Sequence, residues 1–173
     1  MDFYAGTTLI GDDVPLDSNG KATCTTTALK AGGSPVQITA TYSGDDNYNG
    51  SSGSYSQMVN KADTVVTVSS SSDPSVTGES VTFTATVTAV APGSGTPTGT
   101  VTFTIKDKDD STVAGPTTVS LSGGSATYTT SVLNAEGSPY SVEVSYSGDD
   151  DYHSCDNSVS PYSQEVDKAD TVV

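Results

Sequence analysis

The chain has 173 residues, with 21 acidic and 6 basic side chains, a net charge of -15 and no tryptophan. A field of that sign repels phosphate backbones and anionic membrane surfaces, and no basic stripe offsets it, so nucleic acid and anionic lipid are poor partners. No apolar run approaches the ~18 residues of a membrane-spanning helix, and a single histidine, His153, leaves no two-histidine metal triad to build.

Val and Thr dominate the strand-like stretches while Gly and Pro punctuate them, which predicts many short strands and almost no helix. The amino terminus, MDFYAGTTLIG, lacks the basic region and apolar stretch of a signal peptide and reads as the middle of a module. In GSPVQITATYSGDDNY, residues 33–48, Val36, Ile38, Ala40 and Tyr42 alternate with polar residues, the period of a strand with one face buried. SVTFTATVTAV repeats the pattern with Val81, Phe83, Ala85 and Val87 inward and Thr82, Thr84, Thr86 and Thr88 outward. TVTFTI sets Val101, Phe103 and Ile105 inward, and Tyr140, Val142, Val144 and Tyr146 do the same in a later strand. Between the strands stand APGSGTPTG, KDKDDSTVAG, SGG, NAEGSP and SGDD, in which Gly supplies positive φ, Pro sets an entry angle and Asp or Ser bonds nearby backbone.

The two halves are copies. GSPVQITATYSGDDNY matches GSPYSVEVSYSGDDDY at residues 137–152, and SYSQMVNKADTVV at residues 54–66 matches PYSQEVDKADTVV at residues 161–173, after a three-residue insertion. A repeat of about 100 residues is too long for a solenoid and suits a row of sandwich domains. The expected organisation is a truncated repeat lacking its first strands at 1–60, with about five strands, a complete repeat at 61–167, and the first strand of a following repeat at 168–173. Seven short antiparallel strands in about 105 residues give an all-β, tandem immunoglobulin-like Greek-key β-sandwich fold. The link between Val59 and Thr64 is short enough to restrict swinging of neighbouring sandwiches.

The order GTPTGTVTFTI, LSGGSATYTTSVL, YSVEVSYSGDDDY resembles the bacterial Ig-like domain repeats carried in tandem on large prokaryotic surface proteins. The resemblance runs well over residues 61–167 and, as a shortened copy, over 3–60; the charged KDKDDSTVAG is longer than the loop usual there. It implies an extracellular or cell-surface setting, neighbouring Ig-like repeats as partners, and a non-catalytic stalk or spacer role with no catalytic residues. An adhesin-type module for a glycan or host protein is the alternative, with Tyr152 and Tyr162 as the expected surface aromatics. A further alternative is head-to-tail self-association, in which the terminal KADTVV adds to another chain's sheet.

Seven alternating strands bring the loop after the sixth to the pole where the first begins, which places Asp149, Asp150 and Asp151 near Asp63. With Asn60, the Gly11-Asp12-Asp13 loop and the 30–35 turn facing them, these oxygens form a candidate interdomain calcium site. The competing expectation is no cofactor, with Asp149 closing a turn through local backbone amides. The loop at Asp107, Asp109 and Ser111 lacks the Gly and Glu of a calcium loop, having Thr112 and Thr118 there. Cys24 aligns with Tyr128 and Cys155 has no counterpart, so no disulfide framework follows.

Overall fold

The computed structural model describes residues 1–172 and resolves the chain into two units, Met1–Lys61 and Ala62–Val173; Val173 itself, the last residue of the expected 168–173 strand, lies outside the described residues. In the first unit the strands are β1 (Asp2–Ala5), β2 (Thr8–Gly11), β3 (Val36–Gly44) and β4 (Asn49–Gln57), with one 3-10 turn at Ala31–Gly33. The second contains β5 (Thr64–Ser70), β6 (Ser75–Val76), β7 (Val81–Ala89), β8 (Thr100–Lys106), β9 (Thr112–Ser120), β10 (Ser125–Thr130), β11 (Tyr140–Tyr146), β12 (Cys155–Asp156), β13 (Tyr162–Gln164) and β14 (Val166–Asp167). Residues 168–172 form no strand.

The second unit is a two-sheet sandwich. One sheet runs β10-β7-β5; the other runs β12-β11-β8-β9, with β13 also on β11, and β14 pairs β6 in parallel. The alternation decides what fills the space between the sheets. Val81, Phe83, Ala85 and Val87 from β7 meet Val101, Phe103 and Ile105 from β8 and Val142, Val144 and Tyr146 from β11, all of them buried. Two ring contacts cross from sheet to sheet: Phe103 stacks on Tyr128 at 5.8 Å, and Phe83 meets the edge of Tyr162 at 6.5 Å. Each large side chain buried here contributes about 1.5–3 kcal/mol relative to exposure. The Thr faces look outward, where Thr82 pairs with Thr129 and Thr102 with Thr118, both at 2.9 Å between hydroxyls.

The first unit has the second of these sheets without the first. Its order, β2-β1-β3-β4, follows β9-β8-β11 and the β12–β13 edge, with Phe3 at the place of Phe103 and Ile38 at that of Val142. Four strands form rather than the five expected. The missing one is KATCTT, residues 21–26, the counterpart of β10. There Ala22, Cys24 and Thr26 turn inward and Lys21, Thr23 and Thr25 outward, as in a strand, but no ladder forms. The reason is the absent neighbour: β10 is held by β7 over six residue pairs, and nothing among the described residues of the first unit corresponds to β7. Every buried hydrophobic side chain belongs to the second unit.

That asymmetry sets an expectation for stability. Phe103→Ala should destabilise the second unit by about 3–5 kcal/mol, whereas Phe3→Ala at the matching place of the open sheet should cost about 1 kcal/mol or less. Native-state hydrogen exchange checks this, read at β11 amides for one variant and β3 amides for the other.

Candidate functional site

The duplicated Tyr-Ser-Gly-Asp-Asp corner has one geometry in both units. Gly44 and Gly148 take φ of +91° and +74°, and a Cβ would stand 2.7 Å from the Tyr48 carbonyl oxygen at the first and 2.9 Å from the Ser154 nitrogen at the second, so only glycine fits. The aspartate that follows closes the turn. Asp45 Oδ1 accepts from the N–H groups of Asn47 and Tyr48 at 2.7 and 2.8 Å; Asp149 Oδ1 accepts from those of Asp151 and Tyr152, both at 2.9 Å. The second oxygen distinguishes the copies. Asp149 Oδ2 accepts from the Thr98 N–H at 2.8 Å and the Thr98 hydroxyl at 2.6 Å. Among the described residues none of the first unit stands at the place of Thr98, and there the Tyr42 hydroxyl donates to Asp45 Oδ2 at 2.6 Å.

These bonds tune the carboxylates. Burial by itself raises the Asp149 pKa, but the hydroxyl and N–H of Thr98 with the N–H groups of Asp151 and Tyr152 outweigh it and hold the group at about 2. Asp45 is likewise lowered, chiefly by the Tyr42 hydroxyl. Beside Asp149, the Tyr146 hydroxyl is buried; burial first, and the neighbouring Asp149 carboxylate second, push its pKa far up.

The start of the second unit lies against this corner. Ala62 N donates to the Asp151 carbonyl and His153 N to the Ala62 carbonyl, both at 2.9 Å, and the Thr64 hydroxyl donates to the His153 carbonyl at 2.8 Å. Asp63, Asp149, Asp150 and Asp151, the four residues singled out for calcium, therefore belong to one pole of one unit. Both Asp149 oxygens are occupied by hydrogen bonds, and the Asp63 carbonyl accepts from Val90 N at 2.8 Å. A group of three carboxylates within 4.8 Å of one another occurs elsewhere among the described residues, at Asp2, Asp12 and Asp13. Sequence reasoning named Asp12 and Asp13 but missed Asp2, which the Phe3–Gly11 pairing of the β1–β2 hairpin brings alongside. In the other acidic loop, Asp107 Oδ1 accepts from the N–H groups of Asp109 and Ser111, a local turn leading into β9.

A second constellation escaped the sequence reading. Tyr152 and Tyr162, expected at the surface, both turn inward. Tyr152 is buried and donates to the Ser94 carbonyl at 2.7 Å. Tyr162 donates to Asp73 Oδ2 at 2.7 Å, and burial, followed by that bond, pushes its pKa up to about 12. Two residues on, Gln164 is 0% exposed, its Nε2 donating to the carbonyls of Ser72 and Glu165 at 2.9 and 2.8 Å. Main-chain bonds complete the seam: Ser75 N to Glu165 O at 3.0 Å and Thr77 N to Asp167 O at 2.9 Å. Tyr162, Gln164 and Val166 thus bind the last strands to the 72–77 segment near the beginning of the unit. The exposed rings are Tyr48 and Tyr55 of the first unit. The readable signal was the recurrence of Tyr-Ser-Gln with a polar glutamine inside a strand pattern.

A model of the bacterial Ig-like domain family, group 3, matches residues 1–60 and 67–167. No curated protein and no solved structure matches the chain.

The corner carries a pH dependence of definite sign. The folded Asp149 pKa of about 2 lies below its ordinary 3.8, so its stabilisation is fully present above about pH 4 and is lost as pH falls toward 2. Asp149→Ala is expected to lower the stability of the second unit at pH 7 by about 1–2 kcal/mol and to flatten its dependence between those pH values in urea titrations. With Asp149 so engaged, calcium or a chelator is expected to leave the thermal midpoint of this unit unchanged; a rise of several degrees at saturating calcium would instead place the cation among Asp63, Asp150 and Asp151.

Proposed function

The chain belongs to the bacterial Ig-like domain family, and we propose that it is a non-catalytic stalk or spacer segment that carries tension along a large surface or secreted protein. Domains of this group are typically non-catalytic structural modules found in extracellular or surface proteins. No helix among the described residues is long and apolar enough to cross a membrane.

The observation that carries this reading is the parallel pairing of β6 with β14, Val166 opposite Ser75 and Asp167 opposite Val76. Parallel strands near the two ends of a unit slide past one another when those ends are pulled apart. Their hydrogen bonds lie across the pull and are loaded together, whereas an antiparallel pair pulled from one end opens bond by bond. Ser75 N to Glu165 O and Thr77 N to Asp167 O are the bonds so loaded, and the fully buried Gln164 ends the strand just before them. The adhesin alternative has less to rest on in this unit, because Tyr152 and Tyr162 have their hydroxyls engaged by Ser94 and Asp73 rather than offered to a sugar.

Pulling the full chain by its ends in a force spectrometer tests the reading. The second unit is expected to rupture in one discrete high-force event with a length gain of ~35–40 nm. Thr77→Pro, which removes one seam donor, should lower that force markedly. Extension without a force peak, or an unchanged force in the variant, would refute a tension-bearing role.

A further inference from the structure

The two copies treat one sheet edge differently. In the second unit that edge is β12 and β13, which pair with β11 and, among the described residues, with no other strand. The edge therefore stands free even where both sheets are present, and it is guarded instead. Asp156 sets a charge on it, and Pro161 lacks the N–H that a further strand would need. Between Asn157 and Pro161 three extra residues break the strand in two. The Asn157 side chain takes up backbone groups of β11 at the break, its Oδ1 accepting from Val144 N at 2.7 Å and its Nδ2 donating to the Val142 carbonyl at 3.1 Å.

In the first unit the matching strand, β4, has none of these devices. Ser52 stands at the place of Asp156, Gly53 at that of Asn157 and Ser54 at that of Pro161, without the extra residues. β4 is consequently unbroken over its nine residues, Asn49–Gln57, and pairs with β3 in one register from end to end. It has no charge and no proline, and residues 49–56 are all exposed. A Cβ at Gly53 would meet nothing within 4 Å. The other nine-residue edge strand, β9, carries Pro116 and two register breaks, and β2 has only four residues. A long, regular, uncharged edge presents a row of unpaired N–H and C=O groups to any strand that comes alongside.

We propose that β4 is a pairing surface for the β4 of a second copy of this chain, the two strands running antiparallel about a two-fold axis and joining two four-stranded sheets into one. A partner strand must itself have a free edge, and the β4 of a second copy has one, since only its other side is held by β3. Charge favours the same contact. The first unit carries six acidic residues and three lysines, the second fifteen and three, so pairing through β4 joins the less repulsive parts of two acidic chains. With the nine residues fully overlapped, Gly53 lies opposite Gly53 of the second copy and Ser52 opposite Ser54, and alternate N–H and C=O groups of each strand find partners. The inference is independent of the tension-bearing role.

Sedimentation velocity of the full chain under reducing conditions, over a concentration series, is expected to show a reversible dimer. Hydrogen exchange at dimeric concentrations should then give new protection at β4 and none at β12 or β13. Ser52→Lys combined with Ser54→Lys sets like charges opposite one another across the axis, and Ser52→Asp with Ser54→Asp does so with the other sign. Each pair should weaken association by about tenfold or more. Mixed in equal amounts, the two variants should associate one-to-one, because every introduced lysine then faces an introduced aspartate; that recovery also establishes that both variants fold. A chain that stays monomeric throughout the series would overturn the proposal. So would a dimer that both variants retain, protection confined to a segment other than β4, or a mixture that fails to recover the association.

Discussion

A strand that alternates Val and Phe with Thr commits one face to burial, and a sheet made of such strands is satisfied only when a second sheet covers that face. The second unit meets the demand, with β7 set against β8 and β11 and aromatic contacts crossing between the sheets. The first has strands of the same pattern, in the same order, at the same corner, yet none of its side chains reaches the burial of Phe83 or Phe103. The hydrophobic term is proportional to the area removed from water, so like residues contribute unlike amounts in the two units. Near-copies in sequence therefore differ in what holds them together.

The polar devices answer to the same constraint. Asp149 and Asp45 close equivalent turns through equivalent backbone donors, yet the second oxygen of each takes whatever its unit provides: Thr98 in one, the hydroxyl of Tyr42 in the other. Tyr146 is buried, while its copy Tyr42 stays half-exposed and donates to Asp45. The Asp149 carboxylate accepts four hydrogen bonds at the edge of the sandwich. The repetition of its motif reflects the turn it closes.

The seam formed by Tyr162, Gln164 and Val166 joins the end of the second unit to the segment near its beginning. A buried glutamine is costly unless its amide is matched; Gln164 donates its nitrogen to two carbonyls, while its Oε1 is buried without a hydrogen-bond partner. Such a group fixes which segment lies alongside, because an apolar substitute would pack against several. The same three residue types recur at Tyr55, Gln57 and Val59.

The alternation at 81–87, 101–105 and 140–146, the turn glycines and the duplicated strings were legible in the sequence because each is local: side chains two residues apart share a face, and a positive φ calls for glycine. The all-β character, the repeat and the pole that gathers Asp63 with Asp149, Asp150 and Asp151 followed from that local code. Residues 21–26 and Tyr162 did not, since what they become depends on a partner distant in the chain. The same alternation is a strand beside β7 and an unpaired segment without it, and a tyrosine that reads as a surface ring turns inward where Phe83 and Asp73 receive it. The sequence by itself determined the strands and their turns; the tertiary structure alone decided which faces are covered, because burial and ladder pairing belong to pairs of segments and are properties of neither one.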